Sequence, residues 1–332
     1  MKRVGILFGM ENTFPAAVAA KIDDMKAGVA GEFVKIGATI MAEPSGYDVI
    51  IDRISHDIPY YRSFLKNAVL GGTVVINNPF WWSADDKFFN YAIASKLGVA
   101  VPRTALIPSQ QHPPNTTSES MRNLRYPLPW EEIFAYVGFP AFFKPHSGGG
   151  WKHVFKVSNP GEFFNAYHQT GDMVMTLQEA IEFTHYVRCY CVGREKVRVM
   201  QYDPRQPHEN RYVKDAPPLD PKLEERIIAD CLTLNRALGY DLNTVEFAVR
   251  DGVPYAIDFL NPAPDADYNS VGPENFAWIV EAVAELAVQK ALSGEQPHRE
   301  YRWAGLLNDG VNGSGLGKAP QERAGTGKRS RK

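Results

Sequence analysis

The sequence predicts an α/β (α+β) protein: a mostly parallel α/β unit at the N-terminus, then further strands gathered around one long helix. Three observations carry that expectation. Residues 1–80 alternate apolar strand-like runs with helical ones, and that order builds parallel sheets, because a strand returns parallel to its neighbour only across a crossover. Residues 140–180 are strand-rich around a triple glycine. Between Thr244 and Phe259, apolar and polar residues alternate on both sides of Asp251-Gly252, the pattern of a hairpin.

The elements follow in order. Residues 4–8, 48–51 and 73–77 read as strands, separated by helices over 15–26 and 64–70. Ser83-Ala84-Asp85-Asp86 has capping-box spacing and opens a helix with Phe89, Ile93 and Leu97 on one face. Pro, Ser and Asn crowd residues 108–129, which read as a loop. Residues 174–181 and 186–193 are again strand-like. Asp220 as N-cap, Pro221 at the first helical position and Gly239 at the exit bracket a helix with the stripe Leu223, Ile227, Cys231, Leu234 and Leu238. A last helix covers 274–292. Past Asn308 a glycine-rich basic tail lacks apolar periodicity and reads as disordered.

At 332 residues the chain has room for two or three compact units. Its 44% hydrophobic and 22% charged residues are ordinary for a globular protein. A net charge of −2 gives no electrostatic reason to bind nucleic acid or a membrane surface. No run approaches the ~20 apolar residues of a membrane span, and the opening apolar run is too short for a signal peptide. Cys189, Cys191 and Cys231 are too few for a disulfide framework, and Cys-x-Cys lacks the usual zinc spacing, so buried packing is expected over metal or redox chemistry. These features predict a reducing, cytoplasmic setting. From Lys318 onward, six Lys/Arg stand against one Glu; a solvated tail and an acidic partner are the two readings.

The hairpin carries two acids. Val245, Phe247, Val249, Tyr255, Ile257 and Phe259 are odd-numbered and apolar, predicting a buried face, while Glu246 and Asp258 share the other. That shared parity asks for a three-residue loop, Arg250-Asp251-Gly252, with Gly252 left-handed. Glu246 would then pair with Ala256 and Thr244 with Asp258, whereas a two-residue turn would send the acids to opposite faces. Strands about 4.8 Å apart let both carboxylates share a hard divalent cation such as Mg²⁺. Two unrelated acids on a half-solvated face are the other reading. Without metal the acids should repel, so Asp258→Asn is expected to leave the metal-free protein at least as stable.

Lys87 falls in the first turn of its helix, where the dipole disfavours a cation. A bound anion would offset that cost, as would pairing with Asp85 or Asp86. Lys144 ends the apolar run 139–143, just before Ser147, Gly148, Gly149 and Gly150. Three glycines are entropically costly, so their amides either cradle an anion such as phosphate or make a mobile turn. The spacing is not that of a Walker A loop. Arg188 would share a strand face with Tyr186 and Tyr190. Its planar fork, like that of Arg211, suits phosphate or carboxylate, and each also fits a solvated surface.

Taken in order, Asp86-Lys87 opening a helix, Lys144-Pro145, the glycine loop, Gln178-Glu179-x-Ile181, Arg188 and Glu246…Asp258…Asn261 resemble the ATP-grasp superfamily, in the manner of glutathione synthetase, RimK-type and D-alanine–D-alanine ligases. Residues 47–53 and 75–79 resemble its preceding substrate-side domain, and the whole resemblance covers about residues 45–292. It implies an ATP-grasp fold with an N-terminal parallel-sheet α/β domain over 1–80 and an ATP-grasp domain over 81–305. That domain would hold a small lid near 140–180 and a C-terminal ATP-binding part, with a basic tail over 306–332. Lys87 and Lys144 would contact the ATP phosphates, Ser147, Gly148, Gly149 and Gly150 would form the lid loop, and Gln178, Glu179 and Ile181 would hold adenine. Glu246, Asp258 and Asn261 would bind Mg²⁺, or Mn²⁺ in its place. Arg188, with Arg211 as a second candidate, would steady the transferring phosphoryl group. Two departures stand out. Asp258-Phe259-Leu260-Asn261 is one residue longer than the family's Glu-x-Asn, giving Asn261 the wrong strand parity unless a bulge or the strand end turns it back. Tyr186 occupies the place of the acid that holds the ribose, leaving either Glu182 or His185 to substitute or the nucleotide to bind weakly.

The resemblance implies an ADP-forming ligase that joins a small-molecule carboxylate to an amine through an acyl phosphate, working by positioning and charge stabilisation. A phosphotransferase acting on a hydroxyl and an ATP-binding regulatory protein without ligase activity are the other readings. Nucleic acid and membrane have no part in any of them, and a homodimer is left open.

Overall fold

The computed structural model describes residues 1–80, 86–148, 152–207, 210–214 and 216–294. Its first sheet is wholly parallel: β1 (Lys2–Leu7), β2 (Val29–Phe33), β3 (Val49–Asp52) and β4 (Val74–Ile76), in the order β2-β1-β3-β4. Every residue of β3 and β4 is buried, as expected where both sheet faces are covered. α1 (Phe14–Asp24) and α2 (Pro59–Leu70) cover opposite faces, each with a proline in its first turn. The edge strand β2 escaped the sequence reading because only Val29 of its five residues is buried, which leaves almost no periodicity to read.

α3 (Lys87–Lys96) starts later than the capping box implied. Asp86 is its N-cap, accepting the Phe89 N–H at 2.9 Å; Ser83 lies outside the described residues. The later start turns Lys87, Asn90, Tyr91, Ile93 and Ala94 inward and leaves Phe89 exposed.

The second sheet is antiparallel, with β5 (Thr104–Ile107), β6 (Ala141–Pro145), β7 (Phe155–Val157) and β8 (Met175–Glu179) in the order β5-β8-β6-β7. α4 (Trp130–Val137) and α5 (Pro160–Tyr167) cover it through Trp130, Phe134, Phe163 and Tyr167, with Phe163 against Phe143 of β6. Neither helix was anticipated, since eight residues give barely two turns of pattern. Residues 108–129 hold only a short 3-10 turn, Ser118–Met121.

The third sheet, also antiparallel, orders β9 (His185–Val192), β10 (Lys196–Gln201), β11 (Leu242–Arg250) and β12 (Val253–Asp258) as β10-β9-β11-β12. α6 (Pro221–Leu238) packs on one face with the expected bounds. Asp220 accepts the Lys222 and Leu223 N–H groups, and Gly239 ends the helix at φ 77°. All three cysteines are buried in the core beneath it. α7 (Tyr268–Val271) leads into α8 (Pro273–Ser293), which packs against α1, β1 and β9 in one core shared by the first and third sheets. Asn77 pins that junction: its Oδ1 accepts the Asp241 and Leu242 N–H groups, both at 2.7 Å, and its Nδ2 donates to the Leu242 carbonyl at 2.7 Å. Among the described residues no helix is long and apolar enough to cross a membrane. The basic tail from 306 onward lies outside them.

Asp230 on α6 yields a stability prediction. Burial pushes its carboxyl up from 3.8 to about 6, against the opposing charge of Arg226. The folded pKa exceeds the unfolded one, so this residue's contribution is lost as pH rises between those values. Asp230→Asn should therefore stabilise the fold at pH 7, by at most about 3 kcal/mol, and leave it unchanged near pH 3. Thermal melts at the two pH values check this, and equal shifts at both would refute it.

Candidate active site

The hairpin of β11 and β12 puts its two acids directly opposite one another, by a route other than the expected one. Its turn has two residues: Arg250 pairs with Val253, and Asp251 and Gly252 are both left-handed, at φ 52° and 71°. Such a turn alone would set Ile257 against Glu246. A register shift between Glu246 and Phe247 makes Ile257 an extra, bulged residue, and Glu246 pairs with Asp258. The two faces are therefore divided differently from the odd-even expectation. Tyr255 and Ile257 pack on the core shared with α8, Phe247, Ala256 and Phe259 pack on the core under α6, and Thr244 and Ala248 on the acid face are buried.

The acids differ in charge stabilisation. Burial and the neighbouring Asp258 push the Glu246 carboxyl up, although Arg188 and the hydroxyl of Tyr186, 2.6 Å from Oε2, oppose this. Burial also opposes ionisation of Asp258, but Lys87 and then Lys144 outweigh it and hold its pKa below the ordinary value.

Lys87, the first residue of α3, is buried, and its Nζ lies 3.4 Å from Asp258 Oδ1. It pairs across the cleft with the hairpin and not with Asp86. Lys144 reaches the same region from β6. Its Nζ donates to Gln178 Oε1 at 2.8 Å and to the Tyr91 hydroxyl at 3.0 Å, and burial lowers its pKa. Tyr91 in turn donates to the carbonyl of the bulged Ile257 at 2.7 Å. A bulged residue stands outside the regular ladder, which leaves that carbonyl for a side chain.

Arg188, on β9, forms the other wall. It pairs with Glu246 in the strand register, its Nε 3.5 Å from Glu246 Oε1, while Nη1 donates to the Tyr212 hydroxyl at 3.1 Å. Burial works against its charge, but Tyr212, Glu246, Tyr202 and Asp265 raise its pKa above the ordinary arginine value. Asn261 reaches the acid face because β12 has ended at Asp258. Its backbone N–H is held by Asn243 Oδ1 at 2.9 Å. The amide orientation that satisfies both ends points the oxygen at Arg188 Nη2 and Thr244 Oγ1, each at 3.0 Å. Arg211 sits farther out; its Nε donates to the Gln206 carbonyl, and its charge still favours the ionised form of Glu246.

Of the residues expected at the nucleotide, Gln178 is buried between Lys144 and Thr104. Glu179 is taken up by Arg103 and Arg250, at 3.0 and 2.9 Å, and its N–H donates to the Arg103 carbonyl at 2.9 Å. Ile181 is buried, whereas Glu182 and His185 are exposed. Ser147 and Gly148 begin the glycine loop. Gly148 has φ 80° and open space where a side chain would stand; Gly149 and Gly150 lie outside the described residues. The Lys87 N–H donates to the His146 carbonyl at 2.9 Å, joining the loop base to α3. Sequence reasoning missed Tyr91, Tyr212 and Thr244. Tyr91 lies one helical turn beyond Lys87 and was discoverable from that spacing; Tyr212 had no pattern to reveal it.

Known structures share this fold. The chain aligns with the VanG D-Ala:D-Ser ligase from Enterococcus faecalis at TM-score 0.59 and 15% identity, covering 88% of this chain and 98% of that one. A D-alanine–D-alanine ligase from Bacillus anthracis complexed with ATP gives TM-score 0.61 and 14% identity, with coverage of 88% and 98%. A RimK domain ATP-grasp protein from Sphaerobacter thermophilus gives 0.62 and 17%, with coverage of 87% and 99%. No protein-family model matches the sequence, and no curated protein matches it.

Proposed function

We propose that this chain, which has the ATP-grasp fold, is an ATP- and Mg²⁺-dependent ligase that joins a carboxylate to an amine through an acyl phosphate and releases ADP. One observation carries the reading: three cations, Lys87, Lys144 and Arg188, converge from three different elements on the facing carboxylates Glu246 and Asp258. Such a ring suits a polyphosphate with its metal.

The donor set fits the metal. Glu246 and Asp258 are hard oxygen ligands, the Asn261 amide oxygen would join them on giving up its contact with Arg188 or Thr244, and Mg²⁺ prefers one or two carboxylates completed by phosphate oxygens. Among the described residues no group of three or more His, Cys, Asp or Glu is placed to hold a metal unaided. When bound, Mg²⁺ would neutralise β- and γ-phosphate charge. Lys87 would exchange Asp258 for a phosphate oxygen, and Lys144 would keep its Tyr91 and Gln178 contacts while facing the same group. Arg188, fixed by Tyr212 and Glu246, would meet charge developing on the transferring phosphoryl group and on the acyl phosphate.

A screen of amino acids and small carboxylates for Mg²⁺-dependent ADP release tests this. Release that needs both a carboxylate and an amine supports the ligase. Release with an alcohol alone would make the protein a phosphotransferase, and tight nucleotide binding without turnover a regulatory module.

The glycine loop gives a further expectation. A phosphate site that excludes water needs a cover, and Gly148 can absorb the backbone change. Hydrogen exchange at 146–148 and 152–153 should slow on adding Mg-ATP, and identical exchange with and without nucleotide would argue against a lid.

A further inference from the structure

Glu246 on β11 pairs with Arg188 on β9, and Tyr186 lies two residues along β9 on the same face. A diagonal of that kind is within reach of an aromatic side chain. The Tyr186 hydroxyl closes it, donating to Glu246 Oε2 at 2.6 Å. The tyrosine is buried and held on several sides. Its ring packs edge-on against Phe183, centroids 5.1 Å apart, and lies 6.0 Å from Tyr202. Its backbone pairs with Ala248 on one side and accepts the Tyr202 N–H at 3.0 Å on the other. Packing therefore aims one hydroxyl at one carboxylate oxygen.

The two oxygens of Glu246 are thus unequal. Oε2 is taken by the phenol. Oε1 is held by charge alone: Arg188 Nε lies 3.5 Å away, beyond ordinary hydrogen-bond length, and has no hydrogen-bond partner among the described residues. Glu246 keeps 20% of its side chain exposed and Asp258, opposite it on the hairpin, 47%, so a cation can reach both acids from the cleft.

Ion size decides what such a pair accepts. Ca²⁺ takes about six to eight oxygens at roughly 2.3–2.6 Å and often grips a carboxylate by both of its oxygens. Mg²⁺ demands about six at roughly 2.0–2.1 Å, in a stricter geometry that one oxygen from each acid satisfies beside phosphate and water. To offer both oxygens, Glu246 would have to turn Oε2 off the Tyr186 hydroxyl and leave a buried donor unmet, which is costly. We propose that Tyr186 sets the metal preference of the site: its hydroxyl withholds Oε2 of Glu246 and leaves Oε1 for the ion, which favours Mg²⁺ over Ca²⁺. Tyr186 is a positioning residue, acting through Glu246. That role rests on the reading of Glu246 and Asp258 as ligands of a nucleotide-bound metal.

Calorimetry with a non-hydrolysable ATP analogue reads the effect without turnover. The affinity of the full chain for the analogue is measured with saturating Mg²⁺, with saturating Ca²⁺ and with EDTA. Parent and Tyr186→Phe are compared, since phenylalanine keeps the ring and its packing; circular dichroism checks the fold, and Tyr186→Leu carries the same test should the first variant not fold. The parent should bind the Mg²⁺ complex about tenfold tighter than the Ca²⁺ complex, the equivalent of one hydrogen bond to a charged group. In the variant that ratio should shrink by about fivefold or more, because a freed Glu246 can offer Ca²⁺ both oxygens. A merely structural role would weaken both complexes alike and leave the ratio where it was. An unchanged ratio, or a parent with no preference for Mg²⁺, would overturn the role of Tyr186 and leave the ligase reading standing. Equal binding of the analogue in Mg²⁺ and in EDTA would remove the metal site itself, and the Mg²⁺-dependent ligase with it.

Discussion

Replacing Asp258 by Asn should lower Mg²⁺-dependent ADP release on the order of 10³-fold, the loss seen when one electrostatic contact to a developing charge is removed. The same variant should melt at a lower temperature than the parent at pH 7 without nucleotide. This reverses the expectation from the sequence, in which repulsion by Glu246 was the only charge in view. In the folded chain Lys87 and Lys144 hold the Asp258 pKa below its ordinary value of 3.8. A carboxyl lowered in this way contributes stability above its unfolded pKa and loses it as pH falls through the folded one. The melting curves of parent and variant should therefore converge in acid. The cost of bringing the acids together falls on Glu246, whose pKa is raised. A variant as stable as the parent at pH 7 would restore the simpler picture of mutual repulsion.

Lys144→Met should weaken nucleotide binding roughly 10- to 100-fold, the equivalent of one charge-assisted hydrogen bond, with little harm to the fold. Methionine keeps most of the apolar stem. Burial lowers the pKa of this lysine despite Asp258 and Glu246, so its contribution to stability is lost as pH falls through the folded value, and at neutral pH the charge is a cost. The melting temperature without nucleotide should be unchanged or slightly higher. Titration calorimetry with a non-hydrolysable ATP analogue reads the affinity, and an unchanged affinity would sink the phosphate assignment.

The sequence was most legible where local chemistry settles the answer. Asp220, Pro221 and Gly239 bracket α6 because caps act through their own backbone neighbours. Buried strands such as β3 and β4 betray themselves by unbroken apolar runs. The acid pair was anticipated, but through a three-residue loop that does not exist. A bulge is chosen by packing on both faces of a sheet, and here Ile257 was free to join the core shared with α8 while Phe259 joined the one under α6. No single-strand parity rule contains that choice. Asn261 looked misplaced for the same reason, since parity stops applying once the strand ends. Tyr91 and Tyr212 depend on contacts between elements far apart in the chain, and periodicity within one element is blind to them.

The hydrogen bonds from the Ile257 carbonyl through Tyr91, Lys144 and Gln178 to Thr104 have a mechanical consequence. Their ends belong to different sheets, with β12 at one end and β5, β6 and β8 at the other, and α3 in the middle. The second sheet is therefore tethered to the strand that carries Asp258, and the reach of one lysine stem limits how far it can swing before the line breaks. By reciprocity, whatever draws that sheet inward must also tighten the hairpin, by the same free energy.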